Sequence, residues 1–78
     1  MGTTKQRLER LKTIPEIINN NGGQITVGEL YGQLALEWGI TRKTFWDYME
    51  ALRAAKKITY PLTWLTQNED HVILKTLN

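Results

Sequence analysis

Between Thr41 and Arg53 the chain gathers many of the side chains able to make directed polar contacts: Thr41, Arg42, Lys43, Thr44, Trp46, Asp47, Glu50 and Arg53. Arginine and lysine donate to phosphate oxygens or to guanine O6 and N7, threonine hydroxyls reach phosphate oxygens, and carboxylates accept from a cytosine amine. Asp47 and Glu50 have two further roles open to them. At helical spacing either can neutralise Lys43 or Arg53, and as a pair they could be mistaken for a general acid and base. A convex helix face with no pocket lacks the burial that assigns such roles, so no catalytic residue is assigned and an enzyme is not expected. His71, the single histidine, reads as a plain surface residue at a strand start. With no cysteine and no carboxylates at ligand spacing, neither a metal nor another cofactor is implied.

A helix must position this cluster. Phe45, Tyr48, Met49 and Leu52 recur at helical spacing, and burying them turns Lys43, Trp46, Asp47 and Glu50 outward. Arg42, Trp46 and Arg53 then share one flank, a basic stripe interrupted by an indole. Thr41 suits the N-cap, with Ile40 and Phe45 as a hydrophobic staple, so a helix is predicted from 42 to about 55.

Upstream, Leu8, Leu11, Ile14 or Pro15, and Ile18 predict a helix over about 4–20. A Thr3–Gln6 capping box opens it and Asn21-Gly22-Gly23 stops it. Pro15 is expected to kink this helix near Leu11 or to split it in two. Gln24-Ile25-Thr26 reads as a short extended stretch, and Thr26 with Glu29 matches a second capping box. The helix that follows buries Val27, Leu30, Tyr31, Leu34 and Trp38 and ends at Gly39. Gly28 and Gly32 cost it roughly 1 kcal/mol each relative to alanine, which points to close packing or to simple tolerance. After Lys57 the period changes to that of strands. Two are expected, at 58–66 and 71–77, around a polar turn at 67–70, with Pro61 confined to an edge, a bulge or an irregular strand start. Trp38 and Trp64 fit a core or subunit interface, and Tyr48 and Tyr60 are expected half-buried with wet hydroxyls.

The 78 residues are enough for one domain, and no repeat, low-complexity tract or long linker divides them. The first residues lack the apolar run of a signal peptide and no stretch is long enough to span a bilayer, so a cytoplasmic protein is expected. The net charge of +2 is small, and its distribution is more informative. Residues 42–57 carry Arg42, Lys43, Arg53, Lys56 and Lys57 against Asp47 and Glu50. Residues 1–20 carry Lys5, Arg7, Arg10 and Lys12 against Glu9 and Glu16. Residues 21–41 carry only Glu29 and Glu37.

The element order is therefore helix, short strand, helix, tight turn, helix, hairpin. Its markers are Gly22-Gly23-Gln24-Ile25-Thr26-Val27-Gly28-Glu29-Leu30, then Gly39-Ile40-Thr41-Arg42-Lys43-Thr44-Phe45, then Met49, Leu52 and Ile58. This ordered set resembles the winged helix-turn-helix family of DNA-binding transcription factors over almost the whole chain. In its small, untrimmed form it resembles members from archaea and their viruses or plasmids. The resemblance implies an α+β fold of three helices, a short strand and a C-terminal hairpin wing at about 58–77. It also implies a sequence-specific regulator that places helix 42–55 in the major groove of double-stranded DNA. The hairpin tip, including Gln67 and Asn68, would lie along the adjacent minor groove or backbone. The start of the second helix at Thr26 would hold another phosphate. One module contacts few base pairs, so a homodimer on a two-fold site is expected, joined through the first helix or the Trp64 strand, with the protein associated with the nucleoid when bound.

Two positions depart from the family. Lys56 stands where a glycine usually follows the recognition helix, and the tip Gln67-Asn68-Glu69-Asp70 is acidic where a phosphate-contacting wing is usually basic. Together with Asp47, Glu50 and the low net charge, they keep open a winged-helix module that binds proteins and no nucleic acid. Trp46 has two readings as well: contact to DNA or a partner, or packing under the wing. Alanine at Arg42 or Lys43 is expected to weaken DNA binding without changing the thermal melt.

Overall fold

The structure, a computed structural model, describes residues 4–61 and 68–77. Helix α1 spans Thr4–Asn20, strand β1 Gln24–Thr26, helix α2 Val27–Trp38 and helix α3 Arg42–Ala54. Strand β2 is Ile58–Thr59, a 3-10 turn occupies Glu69–His71, and strand β3 is Ile73–Thr76. The three helices pack with a three-stranded antiparallel sheet, an α+β arrangement compatible with a winged-helix layout. In that sheet β3 lies between β1 and β2, with Ile25 opposite Leu74 and Thr59 opposite Lys75. No helix among the described residues is long and apolar enough to cross a membrane.

Each of the three α-helices and three strands gives at least one residue to a single core. Ile14 and Ile18 come from α1, Leu30 and Leu34 from α2, Phe45 and Met49 from α3, and Ile25, Ile58 and Leu74 from the strands. Ile40 and Phe45, the two staple positions, are both buried. Tyr48 is buried too, deeper than its expected half-burial, because the start of α1 covers it: Arg10 donates to its hydroxyl at 3.2 Å.

The helix ends follow local chemistry. Gly22 takes φ +81° after α1, where Gly23 N–H donates to Ile18 O at 3.0 Å, and Gly39 takes φ +64° to close α2. Thr26 accepts from Glu29 N–H at 3.3 Å, although among the described residues Glu29 does not return the bond, so only half of that capping box forms. Thr3, the expected cap of α1, lies outside the described residues. α1 runs through Pro15 as one helix rather than two. The missing N–H leaves the Leu11 carbonyl without its helical donor, while burial of Ile14 and Ile18 on either side holds the helix to the core.

The end of α3 carries the one described non-glycine residue with positive φ. Lys56 sits at φ +60°; its N–H donates to Arg53 O at 3.0 Å, and Lys57 N–H donates to Leu52 O at 2.9 Å. That pair of bonds is the left-handed helix stop that glycine favours, here built on lysine.

The hairpin is shorter than the sequence suggests. Pairing between β2 and β3 covers Ile58–Thr76 and Thr59–Lys75 and goes no further among the described residues. Pro61 can donate no ladder bond. On the returning side the Asn68 side chain accepts from Asp70 N–H at 3.0 Å, which winds Glu69–His71 into a 3-10 turn instead of the end of a four-residue β-turn.

Candidate nucleic-acid interface

Thr41 starts α3 in extended conformation, its hydroxyl accepting from Thr44 N–H at 3.3 Å. The cap fixes which residues open the helix, and the buried stripe Phe45, Tyr48, Met49 and Leu52 fixes its rotation. Lys43, Asp47, Glu50 and Ala54 consequently stand on the exposed face. Thr44 is half-buried. The outward face therefore presents one cation in the first turn and two carboxylates in the turns that follow.

The flank with Arg42, Trp46 and Arg53 is engaged by the chain itself. Arg42 Nη1 lies 3.0 Å from Glu69 Oε1, and Nη2 lies 2.7 Å from Asp70 Oδ1. The guanidinium also sits over the Tyr31 ring, 4.5 Å from its centre. Hydrogen bonding to Asp70, then to Glu69, raises the pKa of Arg42 further and outweighs the partial desolvation. Trp46 donates its indole N–H to Glu69. Its ring meets Phe45 edge-on at 5.5 Å and Tyr60 at 5.6 Å. Of the two readings of Trp46, packing beneath the hairpin segment is the one these contacts describe. Arg53 stacks over Tyr60 at 5.7 Å. Burial raises the Tyr60 pKa, Arg53 opposes that shift, and Glu50 adds to it.

This knot corrects two sequence-based expectations. The acidic residues of the hairpin do not project outward; Glu69 and Asp70 fold back onto the start of α3. Arg42 is then a structural cation, and its replacement must lower the melt. The knot also closes the start of α2, where Thr26 was expected to help hold a phosphate. Val27 N–H donates to Val72 O at 2.8 Å, and a Cβ on Gly28 would stand 3.1 Å from Asp70 Cβ. Gly28 thus marks close packing, whereas Gly32 has open space around it. Asn68 is exposed but spends its side-chain oxygen on the 3-10 turn. Gln67 and Trp64 lie outside the described residues.

Among the described residues, Arg42 is the only lysine or arginine with a carboxylate within 4.0 Å. The other nine have no carboxylate that close among the described residues. Arg7 stacks over Tyr48 at 5.3 Å and Arg10 over Trp38 at 5.1 Å, so α1 lays two cations on aromatic faces beside α3. Lys43, Lys56 and Lys57 are exposed along or just past α3. Sequence reasoning missed the Arg42–Glu69–Asp70 knot and the Tyr31 stack. Gly28 was the available signal for the first, since a glycine inside a capped helix asks what lies against it.

No protein-family model matches this chain, and no curated protein or solved structure matches it.

Proposed function

We propose that the chain is a winged helix-turn-helix domain that binds double-stranded DNA as a transcriptional regulator, with α3 in the major groove. The observation that carries this is the state of its cations: nine of ten lysines and arginines have no carboxylate partner among the described residues, although the chain holds eight acidic residues to supply them. Unneutralised cations around an exposed helix are what a polyanion would use. Lys43, in the first turn of α3 and free of ion pairs among the described residues, is the leading contact to phosphate or guanine. Thr41 and Thr44 stand beside it for phosphate oxygens. Asp47 and Glu50 tolerate the groove only if they face base edges, where a cytosine amine can donate to them. Arg42 serves by fixing the hairpin segment against α3. Two copies pairing on a two-fold DNA site go with this function, because one helix reads few base pairs.

A second function, docking a protein partner without nucleic acid, is favoured by one observation: the outer face of α3 carries two carboxylates to one lysine, and its best-placed arginine is already tied down. Anisotropy measurements on duplex DNA from the upstream region of its own gene separate the two. With DNA as the partner, Lys43→Ala weakens binding several-fold at an unchanged melt, and Arg42→Ala loses stability as well. A folded parent that binds no duplex at low salt would contradict DNA as the partner and favour the protein-docking function.

A further inference from the structure

We propose that copies of this chain associate head to tail, Leu36 on α2 of one copy seating in an apolar groove between α1 and α3 of the next. The groove has a volume of about 350 Å³ and is lined by Leu8, Leu11 and Pro15 of α1 and by residues around Ala55 at the end of α3. Lys12 and Lys57 stand on its rim, and neither has a carboxylate within 4.0 Å among the described residues. Leu8 is 52% exposed on the α1 side, and Ala55 is exposed on the other.

The complementary surface is on α2. Leu36 is 90% exposed, more than any other large apolar residue described. Its rotation opposite the buried stripe Val27, Leu30 and Leu34 places it on the outer face of that helix. From Lys12 to Arg42 the sequence contains no lysine or arginine between those two, while Glu29 and Glu37 lie on α2 itself. A single exposed leucine is ordinary on a soluble protein. What gives this one a partner is that the same chain carries an apolar groove that no other described residue fills, with the opposite charge on its rim. The occupant is therefore a second copy: leucine enters the groove, and Glu37 meets Lys12 or Lys57.

Leu36 is not in the groove of its own copy, and the two surfaces are different ones. A contact between unlike surfaces leaves one of each free at the two ends, so association continues past the dimer unless the rotation closes a ring. The contact is small, hence weak, and salt weakens it through the Glu–Lys pairs. It holds with or without DNA.

Sedimentation in low salt tests this across a concentration series. The parent is expected to exceed twice its monomer mass as concentration rises. Leu36→Glu and Leu8→Glu should each be monomeric, with melts like the parent because both side chains are more than half exposed. Ala55→Glu, also exposed, replaces Leu8→Glu if that variant melts early. The decisive sample is the one-to-one mixture: each variant keeps the surface the other lost, so the pair forms and stops at two copies. A parent monomeric at every concentration overturns the proposal, as does association that survives Leu36→Glu. A mixture that stays monomeric also overturns it, since that marks a two-fold contact between like surfaces.

Discussion

Replacing Lys56 by glycine separates what that position does for the fold from what it does for binding. Lys56 holds φ +60° to close α3, a conformation that costs an L-residue roughly 1–2 kcal/mol. Glycine removes that cost but frees the unfolded chain, which returns about 0.5–1 kcal/mol. The net gain is about 0.5–1 kcal/mol, and a domain of this size moves about 4–8 °C per kcal/mol, so the melt should rise by about 2–8 °C. Lys56→Ala is the control, because it removes the charge and keeps the strained backbone; its melt should stay near the parent's. Calorimetry and DNA titration on the same three proteins give both answers. Affinity should fall equally in both variants if the lysine meets a phosphate, with the salt slope shallower by about 0.9. A glycine variant melting at or below the alanine variant would refute the strain argument.

Arg42→Ala should lower stability by about 1 kcal/mol. Its two ion pairs are part-exposed, with side chains 43%, 32% and 47% accessible, and contribute little each, while the Tyr31 stack adds about as much again. A double-mutant cycle with Glu69→Gln by urea melts should show coupling, and strict additivity would dissolve the knot. Gly32→Ala, in open space, should stabilise by up to about 1 kcal/mol, whereas Gly28→Ala must displace Asp70 and should fall at least about 1 kcal/mol below it. Equal melts for the two alanine variants would contradict that close approach. Tyr60 has a folded pKa above its ordinary 10.0, so the stability it lends is complete below about pH 10 and is lost as pH rises through the folded value. Tyr60→Phe should flatten the alkaline decline in melting temperature, and an identical decline in both proteins would assign it elsewhere.

The helices were legible because their signals are local. Thr41, Ile40 and Phe45 define the start of α3 within six residues, and Gly22 and Gly39 stop α1 and α2 by backbone conformation alone. The sheet was legible at Ile58 and Ile73 but not in its extent, because Asn68 and the acidic pair beside it prefer a 3-10 turn to a strand end. What periodicity could not show was partnership over long separations. Arg42 and Glu69 stand 27 residues apart, and apart from Gly28 nothing along the chain says that a carboxylate from the hairpin returns to the helix start. The acidic tip looked like a defect in a phosphate-facing wing; in space it is the counter-charge that fixes Arg42. Pro15 left a kinked helix and a split one both open, and α1 is one helix because a packed core tolerates one lost helical bond.

DNA binding itself is tested most directly by the salt dependence of affinity, measured for the parent and Lys43→Ala on the same duplex. Each phosphate neutralised contributes a slope of about −0.9 in log affinity against log salt. The parent should bind with a slope several such increments deep, and Lys43→Ala should be shallower by about one increment at an unchanged melt. A parent that stays folded but binds no duplex at low salt, or binds with no salt dependence, contradicts DNA as the partner.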